Sequence, residues 1–349
     1  MSRWREALIK PETSIRDAIQ KIDDTALQIA VVVDENNRLL GTLTDGDIRR
    51  GILKNISFQD PVSRVMHKYP VIAHIGDSRK KVLELMQREG LGWVPIVNDT
   101  GEIVDLQAFV DLLKPKPKEN MVVLMAGGLG TRLQPLTNTC PKPMLKVGDK
   151  PILENIIAHF ASYGFGRFCI TVNYKAEMIE NYFTDGSRWG VNIEYIREDI
   201  ELGTAGALSM VLKTPDHPFI VMNGDLLTNI NMDHLLNFHE QYRAQATMCV
   251  KEYDYKIPFG AVKINNHKLI SIQEKPIQRF FINAGIYVLA PEVLTLIPKG
   301  TCYDMPNLFS DLIKKKWECT VFPIREYWLD VGRMEDFEKG GRDHVKGFD

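Results

Sequence analysis

Cysteine is scarce and shows no pairing pattern: Cys140, Cys169, Cys249, Cys302 and Cys319 form no C-x-x-C pair, and an odd count disfavours a complete disulfide framework. They read as buried or idle thiols. Long apolar runs are missing too, so no bilayer span is expected, and the opening Met1-Ser-Arg-Trp-Arg-Glu lacks the pattern of a signal peptide. The expected compartment is the cytoplasm, with no membrane partner. Neither sign of charge dominates, since 43 Lys and Arg face 45 Asp and Glu for a net charge of -2, which argues against a nucleic-acid partner. Eight histidines show no zinc spacing, and His234 with His239 misses the i, i+4 geometry of a helical metal pair. What remains, 44% hydrophobic and 25% charged residues over 349 positions, is a soluble globular composition too long for one ordinary core. About two domains are expected.

The first 113 residues repeat at an offset of 64, which lays Ser14 on Ser78, Val33 on Val97 and Asp47 on Asp111. Each copy predicts an amphipathic helix (Ile15 to Ile22; Arg79 to Met86), an apolar strand (Ile29 to Val33; Trp93 to Val97), a polar turn, a second strand and another helix. This α+β repeat resembles a tandem pair of CBS domains, with Val65-Met66 and Pro70 at the entry to the second copy. In the first copy Gly41-Thr-Leu-Thr-Asp-Gly-Asp matches that family's nucleotide motif at Thr44 and Asp47. The resemblance implies an adenine nucleotide held by the hydroxyl at phosphate and the carboxylate at a ribose diol. The second copy departs from it, with Asp105 for the glycine and Ala108 for the threonine, while Asp111 remains, so at most one good site is expected. A plainer alternative makes Thr44 and Asp47 helix-capping residues.

Alternating prolines and charges in Lys114-Pro-Lys-Pro-Lys-Glu-Asn120 predict a linker between domains at 1–113 and 121–349. Beyond it strand and helix alternate. Strands are predicted at Met121 to Met125, Phe168 to Val172, Val191 to Ile196, Phe219 to Met222 and Thr247 to Val250, with helices near Ile152 to Tyr163, Glu177 to Phe183, Ala205 to Lys213 and Met232 to Arg243. That order implies an α/β, doubly wound, mostly parallel sheet with ligands beyond the carboxyl ends of its strands.

The first of these strands empties into Ala126, Gly127, Gly128, Gly130 and Thr131, a bare backbone suited to polyphosphate, with Arg132 and Lys142 following as cations. Spacing excludes a Walker loop, which needs Lys-Ser/Thr after its last glycine, and a dinucleotide fingerprint, which wants glycine where Leu133 stands. Gly127-Gly-Leu-Gly-Thr-Arg-Leu-Gln-Pro-Leu-Thr with Pro141-Lys-Pro instead resembles the signature of the sugar-1-phosphate nucleotidyltransferases, whose Rossmann-like, GT-A-like fold the resemblance implies. A glycine-rich turn with a structural arginine is the alternative.

Three later segments extend the resemblance. Asp225 ends the apolar strand Ile220-Val-Met-Asn-Gly-Asp, and Asp330 lies in Tyr327-Trp-Leu-Asp-Val-Gly; the family's matching positions hold Mg²⁺, for which two carboxylates plus substrate phosphates suffice. Glu201-Leu-Gly-Thr-Ala-Gly-Ala207 resembles the base-recognition turn and marks Gly203 and Thr204. Upstream, Glu198 stands where uridylyl and thymidylyl members carry glutamine. Guanine offers two adjacent donors that suit an acceptor-only carboxylate, so GTP is favoured, unless Glu198 faces solvent. Ile270-Ser-Ile-Gln-Glu-Lys-Pro276 implies that Glu274 meets sugar hydroxyls and Lys275 the sugar phosphate, with Asn283 and Gly260 as further pocket walls; a surface Glu-Lys pair is the alternative.

The resemblance implies in-line attack of a sugar 1-phosphate oxygen on the α-phosphorus of an NTP, with pyrophosphate leaving. A CBS pair fused to a short transferase looks most like the bacterial glucosamine-1-phosphate guanylyltransferases of the legionaminic acid pathway. Mannose-1-phosphate guanylyltransferases and glucose-1-phosphate uridylyl- or thymidylyltransferases are its neighbours. Homo-oligomers are expected by analogy with other CBS pairs. The reading from another class is an inactive nucleotide-sensing regulatory protein, but Arg132, Lys142, Asp225, Lys275 and Asp330 are all retained.

Overall fold

The computed structural model describes residues 3–211 and 213–345. Met1 and Ser2 of the opening segment, Leu212 within the expected helix Ala205 to Lys213, and residues 346–349 at the end of the expected catalytic domain lie outside the described residues. The chain divides into two compact units after Pro115.

In the first unit the sequence repeat becomes a structural one. Helices Ile15–Thr25 and Arg79–Glu89 are each capped by the repeat-related serine, Ser14 accepting from the Asp17 N–H and Ser78 from the Lys81 N–H. Each copy then builds a three-stranded sheet, Leu8–Ile9, Ile29–Val33 and Leu39–Thr44 in one, Ala73–His74, Trp93–Val97 and Ile103–Ala108 in the other. Even the irregularity repeats, with a register shift between Val32 and Val33 and another between Ile96 and Val97. The copies exchange reciprocal bonds, the Leu39 N–H to the Gly101 carbonyl and the Ile103 N–H to the Asn37 carbonyl, both 3.0 Å. Val31, Val33, Ile103 and Leu106 from both copies share one apolar cluster, so each half buries the other's face.

The second unit is organised by seven strands: β1 (Lys118–Met125), β2 (Phe165–Val172), β3 (Asn192–Arg197), β4 (Phe219–Asn223), β5 (Ala246–Lys256), β6 (Ile277–Leu289) and β7 (Cys319–Ile324). They lie in the order β3-β2-β1-β4-β6-β5-β7, and β6 alone runs antiparallel to its neighbours within this sheet. The expected mostly parallel, doubly wound sheet is therefore present. Both faces are covered, because alternate residues of each central strand enter opposite cores. Val122, Leu124, Ile220 and Met222 face one core, and Met121, Val123, Phe219 and Val221 the other. Each large side chain buried in this way contributes about 1.5–3 kcal/mol.

Three sequence expectations need correction. The strand β1 begins at Lys118, whose N–H donates to the Gly164 carbonyl at 2.8 Å, so the last three residues of the expected 114–120 linker belong to the sheet. Proline removes only its own N–H, and past Pro117 nothing blocks pairing. The expected helix at Ala205 to Lys213 is a single α-turn, Gly203–Gly206, followed by a 3-10 turn, Ala207–Met210. Its residues favour helix, but its first N–H groups bond to a distant loop. Strand β5 runs to Lys256, well beyond Val250: past Lys251 its pairing with β7 ends, and it continues with β6 as a two-stranded arm. The arm leads to the hairpin Ala261–Asn265/Lys268–Gln273, whose Val262, Ile264, Leu269 and Ile272 side chains are exposed.

Candidate active site

Strands β1 and β4 run parallel and side by side, so the glycine loop after Met125 and the Asn223-Gly-Asp225 turn emerge at the same edge of the sheet. Between them opens a cavity of about 400 Å³, lined on one side by Ala126, Gly127, Gly128, Gly130, Thr131, Arg132 and Lys142 and on the other by Glu198, Gly203, Thr204 and Asp225. All of these were expected from the sequence.

Asp330 reaches the same place through a short antiparallel pair. Strand Trp328–Asp330 pairs with Leu226–Thr228 so that Asp330 stands opposite Leu226, and the Val331 N–H donates to the Asp225 carbonyl at 3.1 Å. Lys142 then binds the two carboxylates together. Its ammonium donates to Asp225 Oδ2 and lies 3.8 Å from Asp330 Oδ1, and the side chain is buried. One oxygen of each carboxylate, Asp225 Oδ1 and Asp330 Oδ1, is buried and accepts no hydrogen bond. Burial first, and then the Asp225 charge, raises the Asp330 pKa, while Lys142 and Arg132 pull it down. Two hard oxygen donors left unsatisfied in this way suit a small divalent cation. Among the described residues no cluster of three or more His, Cys, Asp or Glu side chains forms a metal site, so the remaining ligands would come from substrate phosphates and water.

Glu198 follows β3 and is fixed by its backbone, its N–H donating to the Val172 carbonyl at 2.9 Å and its own carbonyl accepting from Asn173 Nδ2 at 2.9 Å. The carboxylate faces the cavity rather than solvent, with Oε2 accepting from the Leu202 N–H at 3.2 Å. Burial is the main cause of its raised pKa. Gly127 makes this approach possible, because a Cβ there would lie 2.9 Å from Glu198 Oε1.

The expected acceptor-side residues are not part of this cavity lining. Gly260 and Glu274 do meet, since a Cβ on Gly260 would lie 3.1 Å from Glu274 Oε2, but they and Lys275 stand exposed on the arm. The arm springs from the same edge as the cavity, because β5 runs parallel to β4 and β6 antiparallel to both. Asn283 serves β6 itself, donating to the Tyr287 hydroxyl at 2.7 Å and accepting from the Gly285 N–H at 3.0 Å. Sequence reasoning missed Thr171, Asn173, Asn223, Asp304 and Gly332, which also line the cavity. Asn223 and Gly332 lay inside quoted motifs, whereas Asp304 carried no local signal.

In the first unit the capping alternative is realised. Asp47 Oδ2 accepts from the Thr44 N–H at 2.9 Å and from the Thr44 hydroxyl at 2.7 Å, and Oδ1 accepts from Arg50 at 2.5 Å. Asp111 is exposed and pairs with Lys114 at 2.7 Å.

A doubly wound sheet with a glycine cradle, two cations and paired aspartates at its carboxyl edge defines a phosphate-handling α/β domain. The sequence pattern of the Nucleotidyl transferase family matches residues 121–346, and that of the CBS domain matches 4–54 and 62–106. The chain belongs to the nucleotidyl transferase family, with a CBS pair before the transferase domain. Among curated relatives it is 33% identical over 233 residues to the mannose-1-phosphate guanylyltransferase of Mycobacterium tuberculosis, covering 64% of each chain. It is 33% identical over 235 residues to the UTP–glucose-1-phosphate uridylyltransferase of Synechocystis, covering 62% of this chain and 61% of that one. It thus spans less than two thirds of their length. Among solved structures, HddC from Yersinia pseudotuberculosis is 26% identical with a TM-score of 0.52, covering 64% of this chain and 99% of that one. A putative glucose-1-phosphate thymidylyltransferase from Bacillus anthracis, 22% identical with a TM-score of 0.53 and covering 64% of this chain and 94% of that one, shares the fold. No helix among the described residues is long and apolar enough to cross a membrane.

Proposed function

We propose that this protein transfers a nucleotidyl group from an NTP to a sugar 1-phosphate, with GTP and glucosamine 1-phosphate as the favoured pair. The observation that carries the reading is the Lys142 bridge between Asp225 and Asp330, with an unsatisfied oxygen on each carboxylate, at the mouth of a glycine-lined cavity. The residues fit Mg²⁺, which Asp225 and Asp330 would hold; when bound, it supplies Lewis-acid neutralisation of phosphate oxygens.

The chain's own groups do the rest. Loop 126–131 seats the triphosphate against backbone N–H groups, Arg132 neutralises the departing pyrophosphate, and Lys142 neutralises the α-phosphate and the incoming phosphate. The acceptor phosphate oxygen is already anionic, so attack needs no general base and no covalent enzyme intermediate: the new P–O bond forms as the bond to pyrophosphate breaks. Glu274 and Lys275, on the arm that rises from the same edge, take the sugar hydroxyls and its phosphate.

Guanine is favoured because Glu198 presents an acceptor to the cavity, matching the adjacent N1–H and 2-amino donors of that base. The HddC structure complexed with GMP-PN, 25% identical with a TM-score of 0.52, supports the same base. Mannose 1-phosphate is the alternative acceptor, supported by the mannose-1-phosphate guanylyltransferases of Mycobacterium tuberculosis and Yarrowia lipolytica among the relatives. Pyrophosphate release measured for four NTPs against glucosamine, mannose and glucose 1-phosphates tests all of this. GTP with glucosamine 1-phosphate should be fastest; no release from any pair would leave a nucleotide-binding regulator instead.

A further inference from the structure

The segment Leu202 to Gly206, which lines the cavity beside Glu198, is a poor element by itself. It amounts to one α-turn opened by Gly203 at φ 75°, followed by a 3-10 turn. Its shape comes from a loop far away in sequence. The Tyr303 N–H donates to the Leu202 carbonyl at 2.8 Å, and the Tyr303 carbonyl accepts from the N–H groups of Ala205 at 2.9 Å and Gly206 at 2.8 Å. Next to it Asp304 Oδ1 accepts from the Thr204 N–H at 2.9 Å and the Thr204 hydroxyl at 3.0 Å. That hydroxyl in turn accepts from the Met305 N–H at 2.9 Å, closing a ring between the two segments.

Asp304 is the N-cap residue of the helix Met305–Lys314, yet its side chain makes no capping bond to that helix. A capping carboxylate normally satisfies its own helix; this one is turned to Thr204, and Asp304 also lines the cavity. Gly203 is shaped to the same contact, since a Cβ there would lie 2.7 Å from Asp304 Oδ1 and 2.9 Å from the Tyr303 carbonyl. The backbone facing the nucleoside end of the cavity is thus held by a carboxylate that leaves its own helix uncapped.

We infer that Asp304 is the positioning residue of the nucleotide side of the site: through Thr204 it fixes the turn at 202–206 and so sets affinity for the nucleoside triphosphate, without acting on the sugar 1-phosphate. This rests on the transferase reading above. Charge-assisted hydrogen bonds to a carboxylate are strong and directional, so their loss frees the turn next to the base and ribose.

Steady-state kinetics on the full chain, with each substrate varied in turn, tests the inference. Asp304→Ala should raise KM for the NTP by about tenfold or more, the scale of one lost charge-assisted hydrogen bond, with KM for the sugar 1-phosphate unchanged within about twofold. Thr204→Val should reproduce the effect. Asp304→Asn, which keeps an acceptor oxygen at Oδ1, should recover most of the affinity. An NTP KM within about twofold of wild type for Asp304→Ala would overturn it, as would equal rises in both KM values accompanied by a lowered Tm. Equilibrium titration with GTP separates the two readings. A wild-type protein that binds GTP but releases no pyrophosphate ends the transferase proposal, while the ratio of GTP affinities between wild type and Asp304→Ala still decides the role of Asp304. Failure of wild type to bind any NTP would end both.

Discussion

Burial and the neighbouring Asp225 charge hold the Asp330 carboxyl above the ordinary carboxylate range, and Lys142 and Arg132 offset them only in part. Ionised Asp330 therefore costs folding free energy; the cost is absent below the ordinary carboxylate pKa and grows as pH rises through the folded-state value. Asp330→Asn should raise the Tm of the metal-free protein at neutral pH while turnover falls. The gain should stay within about 1 kcal/mol, because solvent screens a side chain that is 46% exposed. Thermal unfolding in chelator checks the sign, and a lower Tm would contradict it. Gly127→Ala should displace Glu198, since the added carbon would lie 2.9 Å from its carboxylate, and raise KM for the NTP severalfold. Unchanged NTP kinetics would show that Glu198 has room to yield. Residues such as Gly127, Lys142 and Asp225 could be found in the sequence because each sits within a few positions of a strand end in a motif. Asp304 could not, because its partner Thr204 is distant and an Asp before a helix reads as its cap.

The helix Met232–Gln241 is tied to the sheet by a polar chain, His239 Nδ1 to the Thr247 hydroxyl at 2.8 Å and that hydroxyl to Thr320 Oγ1 at 2.8 Å. His239 is 2% exposed, and burial lowers its pKa from 6.5 to about 4, so it stays neutral in the folded protein. The depressed value means that stability is intact above about pH 6.5 and is lost as pH falls towards about 4. The loss approaches about 3 kcal/mol at the lower end of that range. Denaturant midpoints measured across it should fall for wild type and flatten in His239→Gln; parallel curves would contradict the assignment. Central strands were the most legible elements, since β1, β2 and β4 are buried on both faces and show unbroken apolar runs. The arm was less so. Its Tyr253, Tyr255, Phe280 and Ile272 are exposed, and apolar alternation normally signals a buried face. The turn at 203–210 misled for another reason: helix-favouring residues were overridden by hydrogen bonds to Tyr303.

The 64-residue repeat of the first unit was readable in full, because both copies keep their caps, strands and register shift. Whether that unit takes a ligand was not readable, since one Thr-Asp pair serves equally as a helix cap and as a nucleotide motif. An adenine nucleotide would have to displace Arg50, whose side chain is 67% exposed, from Asp47. If it does, AMP, ADP or ATP added to the intact protein should shift its Tm and its kinetics of pyrophosphate release. Identical curves with and without all three would confine Thr44 and Asp47 to capping. The molecule as a whole depends on the edge where two aspartates, a lysine and a bare backbone loop converge. The most direct test is turnover of Asp225→Asn against wild type at saturating substrates and Mg²⁺, with circular dichroism confirming that both are folded. The account requires turnover to fall by about two orders of magnitude or more; a folded Asp225→Asn protein working at the wild-type rate would contradict it.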